Sequence, residues 1–319
     1  MKSFFNSLKP FFFLFLGLGL LWVAFSGIDY KVLKETIRSI SLKWVFLSMA
    51  LGYLAFVFRA LRWFLLIKPL GYNPKISYLI HSIAFGYLFN SFIPRSGEIV
   101  RCTALNKVTK IPVSQLFGHV LLERLIDVVL LSLCIALSLV LNYDQFRFFA
   151  QDFTFPNNIM LYCLILVLFI FGIYKWRFSF LKEAQISKIN LFFKGIKSGF
   201  MSVNKIQNKL MFFIYTILIW LCYLFMTMVC FYCFSDMHSF GFKQGLFILV
   251  AGGLGMVVPT PTGVGSYHYL VKKALVVLGI GPQIAFTFAF IVHTSQAIMI
   301  ILAGVLAMFP FYFKSIKSS

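Results

Sequence analysis

Acidic residues are scarce in this sequence. Nine Asp plus Glu stand against 29 Lys plus Arg in 319 residues, and charged residues make up only 12% of the chain. A soluble domain carries about 25% charged residues. With 61% hydrophobic residues and a mean hydropathy of +0.91, the chain has too little polar surface to face water. Lipid is the solvent that accepts such a surface. A polar block of domain size is also missing, because apolar stretches recur from Phe11 to Phe311. This excludes a separate soluble domain and predicts one membrane domain over residues 1–319.

Other absences narrow the chemistry. Six cysteines include one CxxC, Cys230 and Cys233, with no second pair at zinc-site spacing. Four of the six fall inside apolar runs, so they read as small packing residues rather than metal ligands or disulfides. The apolar run Phe11–Phe25 follows Lys2 and Lys9 but is not followed by an A-x-A-like cleavage site. It therefore reads as an uncleaved first helix. The formal net charge of +20 would suggest nucleic acid on a soluble chain. Here it is assigned to cytoplasmic loops and anionic headgroups, with no nucleic-acid partner.

A spanning helix needs about 20 mostly apolar residues. Six segments qualify: roughly 10–28, 44–67, 116–141, 157–174, 210–234 and 284–312. Two further apolar stretches are broken. The stretch 78–105 is interrupted by Asn90-Ser91-Phe92-Ile93-Pro94-Arg95-Ser96-Gly97-Glu98, and 244–281 by Val258-Pro259-Thr260-Pro261-Thr262-Gly263-Val264-Gly265-Ser266. Proline removes a backbone donor and glycine loosens a helix, so neither stretch continues straight through.

Loop charge sets the orientation. Loop 175–209 holds Lys175, Arg177, Lys182, Lys188, Lys194, Lys197, Lys205 and Lys209 against Glu183 alone, and is placed in the cytoplasm. Loops 68–77 and 106–115 are basic and fall on the same side, whereas 142–156 and 235–243 fall outside. Segment 78–105 then starts and ends in the cytoplasm, and 244–281 starts and ends outside. Loop 29–43, basic but placed outside, carries Val32, Leu33, Ile37 and Ile40 at amphipathic spacing and reads as a surface helix. The fold expected is all-α and polytopic: about six spans plus two oppositely oriented re-entrant hairpins, a possible inverted repeat, with both termini cytoplasmic. Broken helices that meet from opposite faces mark a transporter site where their tips meet.

Loops take six of the nine acids and leave Glu98, Glu123 and Asp127 in membrane segments. An ionisable residue inside a span is a functional-site hypothesis with an expected partner. Arg95 and Arg101 flank Glu98, and Arg124 adjoins Glu123. His119, Glu123 and Asp127 are spaced i, i+4, i+8 on one helix face. Two readings stand: a polar cavity whose cations grip a lipid phosphate, or a salt-bridge network that only stabilises the bundle. A metal on His119, Glu123 and Asp127 is disfavoured, because one helix face supplies too few converging ligands. No cofactor or metal is expected. The second break, Pro259 to His268, offers backbone amides for an anion where the next half-helix begins. No Gly-Lys-Ser/Thr follows it, so it is not a P-loop. His81 and His293 lie alone on apolar faces and read as core histidines.

These residues resemble a known family. Asn90 to Arg101 looks like the N-x3-P-x2-GE-x2-R signature of the lysylphosphatidylglycerol synthase transmembrane region, a flippase-like family. Glu123-Arg124-Leu125-Ile126-Asp127 is similar to its E/D-R-x-x-D helix motif. Pro259, Pro261, Gly263 and Gly265 resemble its later Pro-Gly-Gly-x-Gly loop, with Thr262 where the family often has glycine and His268 near where many members carry Glu. The resemblance implies a lipid flippase domain in a bacterial cytoplasmic (inner) membrane. Its substrate would be an anionic lipid, aminoacylated or polyprenyl-linked. The soluble aminoacyl-transferase domain of bifunctional members is absent, so a separate synthase would make the lipid. The implied lipid-binding residues are Asn90, Pro94, Arg95, Gly97, Glu98, Arg101, Glu123, Arg124, Asp127, Pro259, Pro261, Gly263, Gly265 and His268. The rival readings are an intramembrane lipid-modifying enzyme of glycosyltransferase type and a non-catalytic partner of a synthase. The outside loops hold no D-x-D.

Overall fold

A computed structural model describes residues 29–150 and 183–316, together with 18, 19, 22 and 168. The expected spans 10–28 and 157–174 lie almost wholly outside the described residues. Every regular element among the described residues is helical: α1 Tyr30–Ser39, α2 Leu42–Ile67, α3 Ile76–Asn90, α4 Gly97–Thr109, α5 Val113–Leu141, α6 Tyr143–Ala150, α7 Glu183–Met201, α8 Lys209–Met228, α9 Phe242–Val257, α10 Ser266–Val277 and α11 Pro282–Ile316, with short 3-10 turns between some of them. Four helical stretches, Leu42–Leu70, Val113–Leu141, Lys209–Cys233 and Pro282–Phe309, are long and apolar enough to cross a membrane. They coincide with four of the six expected spans. The chain is a polytopic helical membrane protein.

The amphipathic stretch before the first of these spans forms α1. Its start is capped by the Asp29 carboxylate, which accepts from the Lys31 N–H at 2.7 Å. Asp29 is also bonded in both directions to Gln283 at the start of α11, at 3.1 and 2.8 Å. Ser41 O, just before α2, accepts from Cys233 Sγ beyond the end of α8. The starts of α2 and α11 and the end of α8 therefore share one end of the bundle. The 3-10 turns Lys68–Leu70 and Ser202–Lys205 touch each other at the opposite end.

This frame orients the two broken segments. Helix α3 leaves the far end, α4 returns to it, and the two arms pack on each other. Glycine makes that approach possible: a Cβ on Gly97 would overlap the backbone carbonyl of Gly86. The turn between them is short because Asn90 Oδ1 accepts the Gly97 N–H at 2.7 Å. Helix α9 starts at the near end, where the Asn142 side chain donates to Lys243 O at 3.2 Å. It ends at Val257, and α10 returns to the near end against α11. Arg95, in the tip of the first hairpin, donates from Nη2 to Val257 O at 3.0 Å. The two hairpins thus enter from opposite ends and touch at their tips.

One buried apolar cluster surrounds the first hairpin, built on Trp63, Leu66, Leu79, Ile83, Leu105 and Leu116. A second lies at the near end around Phe231, Ile248, Val271, Phe288 and Val292. Part of the basic stretch expected as loop 175–209 is helix α7. It crosses α5 so closely that Cβ atoms on Gly195 and Gly199 would meet Ser114 and Gln115. Small residues four apart let two helix backbones approach, a pattern that the lysine count of this stretch obscured.

Candidate anion site at the arginine cluster

Three arginines lie buried in the bundle: Arg59 and Arg62 on α2 and Arg101 on α4. They converge on two acids of α5, Glu123 and Asp127. Arg101 Nη2 donates to Glu123 Oε2 at 2.6 Å, while its guanidinium carbon stands 4.8 Å from the Trp63 ring centroid. Arg59 Nη1 is 3.4 Å from Asp127 Oδ2 and 4.0 Å from Glu123 Oε2. Arg59 Nη2 also donates to Tyr223 Oη of α8 at 2.8 Å. Arg62 Nη2 is 3.5 Å from Asp127 Oδ1, and Arg124 reaches Asp127 Oδ2 at 3.5 Å from one turn away.

Four guanidinium groups share two carboxylates here, so the cluster carries a surplus of two positive charges. The hydrogen bonding is also incomplete. Nε of Arg59, Arg62, Arg101 and Arg124, Arg62 Nη2, Glu123 Oε1 and Asp127 Oδ1 are buried and have no hydrogen-bond partner among the described residues. Buried polar atoms are normally satisfied, and each exception needs an explanation. A cluster with surplus cations and idle donors is suited to an anion, and planar forked donors suit a phosphate oxygen pair.

The arrangement corrects several sequence-level pairings. Arg101 pairs with Glu123 across two helices, not with the neighbouring Glu98. Arg124 pairs with Asp127 and not with the adjacent Glu123. Adjacent helical residues point 100° apart, so i, i+1 neighbours do not face each other. Arg95 is spent on the other hairpin. Glu98 sits in the first turn of α4 with Oε2 buried and unpartnered among the described residues. His119 is fully buried, and neither ring nitrogen has a partner among the described residues. Arg59 and Arg62 were missed altogether. Their signal is two cations inside an otherwise apolar span. Pro94 lies in the turn between α3 and α4. It prevents α3 from running on.

The second tip keeps most of its polar groups to itself. Gly263 N donates to Thr260 O and Val264 N to Pro261 O, at 3.2 and 2.9 Å. Gly265 N donates to His268 Nδ1 at 3.3 Å. These three of the amides in the stretch Pro259 to His268 are therefore occupied. Ser266 Oγ ties the loop to Gly255 O at 2.7 Å and meets Thr260 Oγ1 at 3.1 Å. His293, expected to stand alone, bonds through Nε2 to Thr262 O at 2.9 Å, and its ring lies 4.6 Å from that of His268. Thr262 has φ 49°, a left-handed backbone that glycine adopts without penalty.

The profile of the lysylphosphatidylglycerol synthase TM region matches residues 11–304. The chain belongs to that family. A UPF0104 membrane protein of Methanocaldococcus jannaschii is 31% identical over 108 residues, a stretch covering 33% of this chain and 32% of that relative. No solved structure matches the chain. Within this family member, the N-x3-P-x2-GE-x2-R residues build the first hairpin tip and carry Arg101 into the charged cluster. The E-R-x-x-D residues supply both of the cluster's acids.

Proposed function

We propose that this membrane domain moves a lipid with an anionic headgroup between the two leaflets, and that it is a transporter rather than an enzyme. The observation that carries the reading is the buried surplus of guanidinium groups, with unfilled donors, beside the tip of the first of two opposed hairpins. A charge at the bilayer centre costs about 2.5–3.5 kcal/mol on insertion scales. Such a surplus is retained where an anion completes it. The lipid phosphate binds between Arg59, Arg62 and Arg101, while Glu123 and Asp127 hold the forks in orientation. Family membership supports a lipid substrate of the aminoacylated or polyprenyl-linked kind.

Alternating access follows from the hairpins. The Arg95 to Val257 bond joins two elements anchored at opposite ends of the bundle. Breaking and remaking it opens the site to one end at a time, as rocking repeats do in other transporters built on broken helices. The protein lies in the bacterial inner membrane with both termini in the cytoplasm, following the basic loops.

The test is leaflet exchange by the purified chain in liposomes, scored over a panel of labelled anionic, aminoacylated, polyprenyl-linked and zwitterionic lipids. Faster exchange of an anionic lipid than in protein-free liposomes is expected. Exchange no faster than in protein-free liposomes for every lipid would overturn the reading. In cells, deletion should lower the outer-leaflet fraction of the cognate lipid and leave its total unchanged. A fall in the total would point to an enzyme.

A further inference from the structure

Cys230 and Cys233 are separated by two residues in the 3-10 turn Val229–Cys233, which continues α8 at the near end of the bundle. The turn type matters. In a 3-10 helix, with three residues per turn, side chains at i and i+3 eclipse. In an α-helix the same pair is offset by about 60°. The winding of the turn accordingly places both cysteines on one side of it. Both are free thiols. Cys230 is fully buried, with Sγ donating to Met226 O at 3.5 Å. Cys233 is half-buried and its Sγ donates to Ser41 O at 3.8 Å.

We propose that Cys230 and Cys233 form a redox-active dithiol that closes reversibly to an intramolecular disulfide by exchange with a disulfide donor, either a small molecule such as oxidised glutathione or a protein disulfide. The accessible Cys233 attacks first as its thiolate. A bond forms between Cys233 Sγ and one sulfur of the donor, and the donor's other half leaves as a thiolate. Cys230 Sγ, on the same side of the turn, then attacks Cys233 Sγ and expels the second donor thiolate. Two protein thiols are oxidised, one donor disulfide is reduced to two thiols, and the two cysteine protons pass to solvent or to the leaving thiolates. Little backbone movement is required, because residues three apart in a helical turn already lie within the Cα separation that a disulfide accepts. Oxidation consumes the Cys233 S–H that donates to Ser41 O. It fixes the turn at which α2, α8 and α11 meet, since Tyr232 stacks on Trp44 and Phe231 on Phe288 there.

The full-length protein in detergent micelles is incubated with oxidised glutathione, quenched with maleimide and mapped by peptide mass spectrometry with fragmentation. The expected product is a 230–233 peptide two hydrogens lighter than the reduced form and carrying no glutathione. Cys230→Ser should instead trap a stable glutathione adduct on Cys233, and Cys233→Ser should leave Cys230 unmodified. Dithiothreitol should reverse all of these changes. Two results would each overturn the proposal: retention of both thiols by the parent protein, or a stable glutathione adduct on Cys233 while Cys230 is present. Neither readout depends on lipid movement, so the fate of the transport reading leaves this test unaffected.

Discussion

Removing the charge of Glu123 is the most revealing perturbation of the cluster. Glu123 Oε2 accepts from Arg101 at 2.6 Å and has Arg59 at 4.0 Å, all in the buried interior. Glu123→Gln leaves four cations against Asp127 alone, and Arg101 has no other acid in reach. Breaking a buried pair from one side costs about 3–5 kcal/mol, because the remaining charge is stranded. Arg101→Gln is milder. It lowers the cationic surplus, and Glu123 keeps Arg59 nearby, so the loss is about 1–3 kcal/mol, that of a buried acceptor left short of a donor. The double variant returns the surplus to two, with three cations against one acid. It should be more stable than Glu123→Gln alone, with a coupling energy of about 0.5–3 kcal/mol. Reversible unfolding in mixed micelles of increasing SDS fraction measures all four proteins, and leaflet exchange in liposomes reads their function. The folded double variant should not move lipid, since the Arg101 fork is gone. Additive destabilisation would refute the charge argument, and full transport by the double variant would refute the site.

Three further outcomes are expected. Arg59→Lys keeps the charge but cannot serve Tyr223 and Asp127 with one planar fork; exchange should fall while unfolding midpoints hold, and unchanged exchange would remove Arg59 from the site. Gly97→Ala forces a Cβ into the Gly86 carbonyl, a rigid obstacle, and should cost about 1–3 kcal/mol in the same unfolding assay, whereas Gly241→Ala meets nothing within 4 Å and should be neutral. Single cysteines in a cysteine-less background should place Ser77 and Lys107 on one face of the membrane and Tyr143 on the other. Labelling of Ser77 and Lys107 from opposite faces would make the first hairpin an ordinary span.

Much of the architecture was legible because lipid imposes a simple rule: a segment without water must satisfy its own backbone, so apolar length reports a helix directly. The breaks were legible for the converse reason. Pro94 and Gly97 interrupt one ladder and Pro259, Pro261, Gly263 and Gly265 the other, and the structure stops α3 at Asn90 and α9 at Val257. The in-membrane acids could be chosen by scarcity alone. Their partners could not. Glu123 finds Arg101 from 22 residues away and Arg59 from another helix, and no local spacing encodes such a pairing. The same holds for the Arg95 bond to Val257 and for His293 meeting Thr262 and His268, each set by how two hairpins approach. The CxxC was visible from the start, but its meaning rested on the turn. Sequence spacing places two cysteines three residues apart in any helix, and only the tighter winding of Val229–Cys233 sets them on one side of the turn.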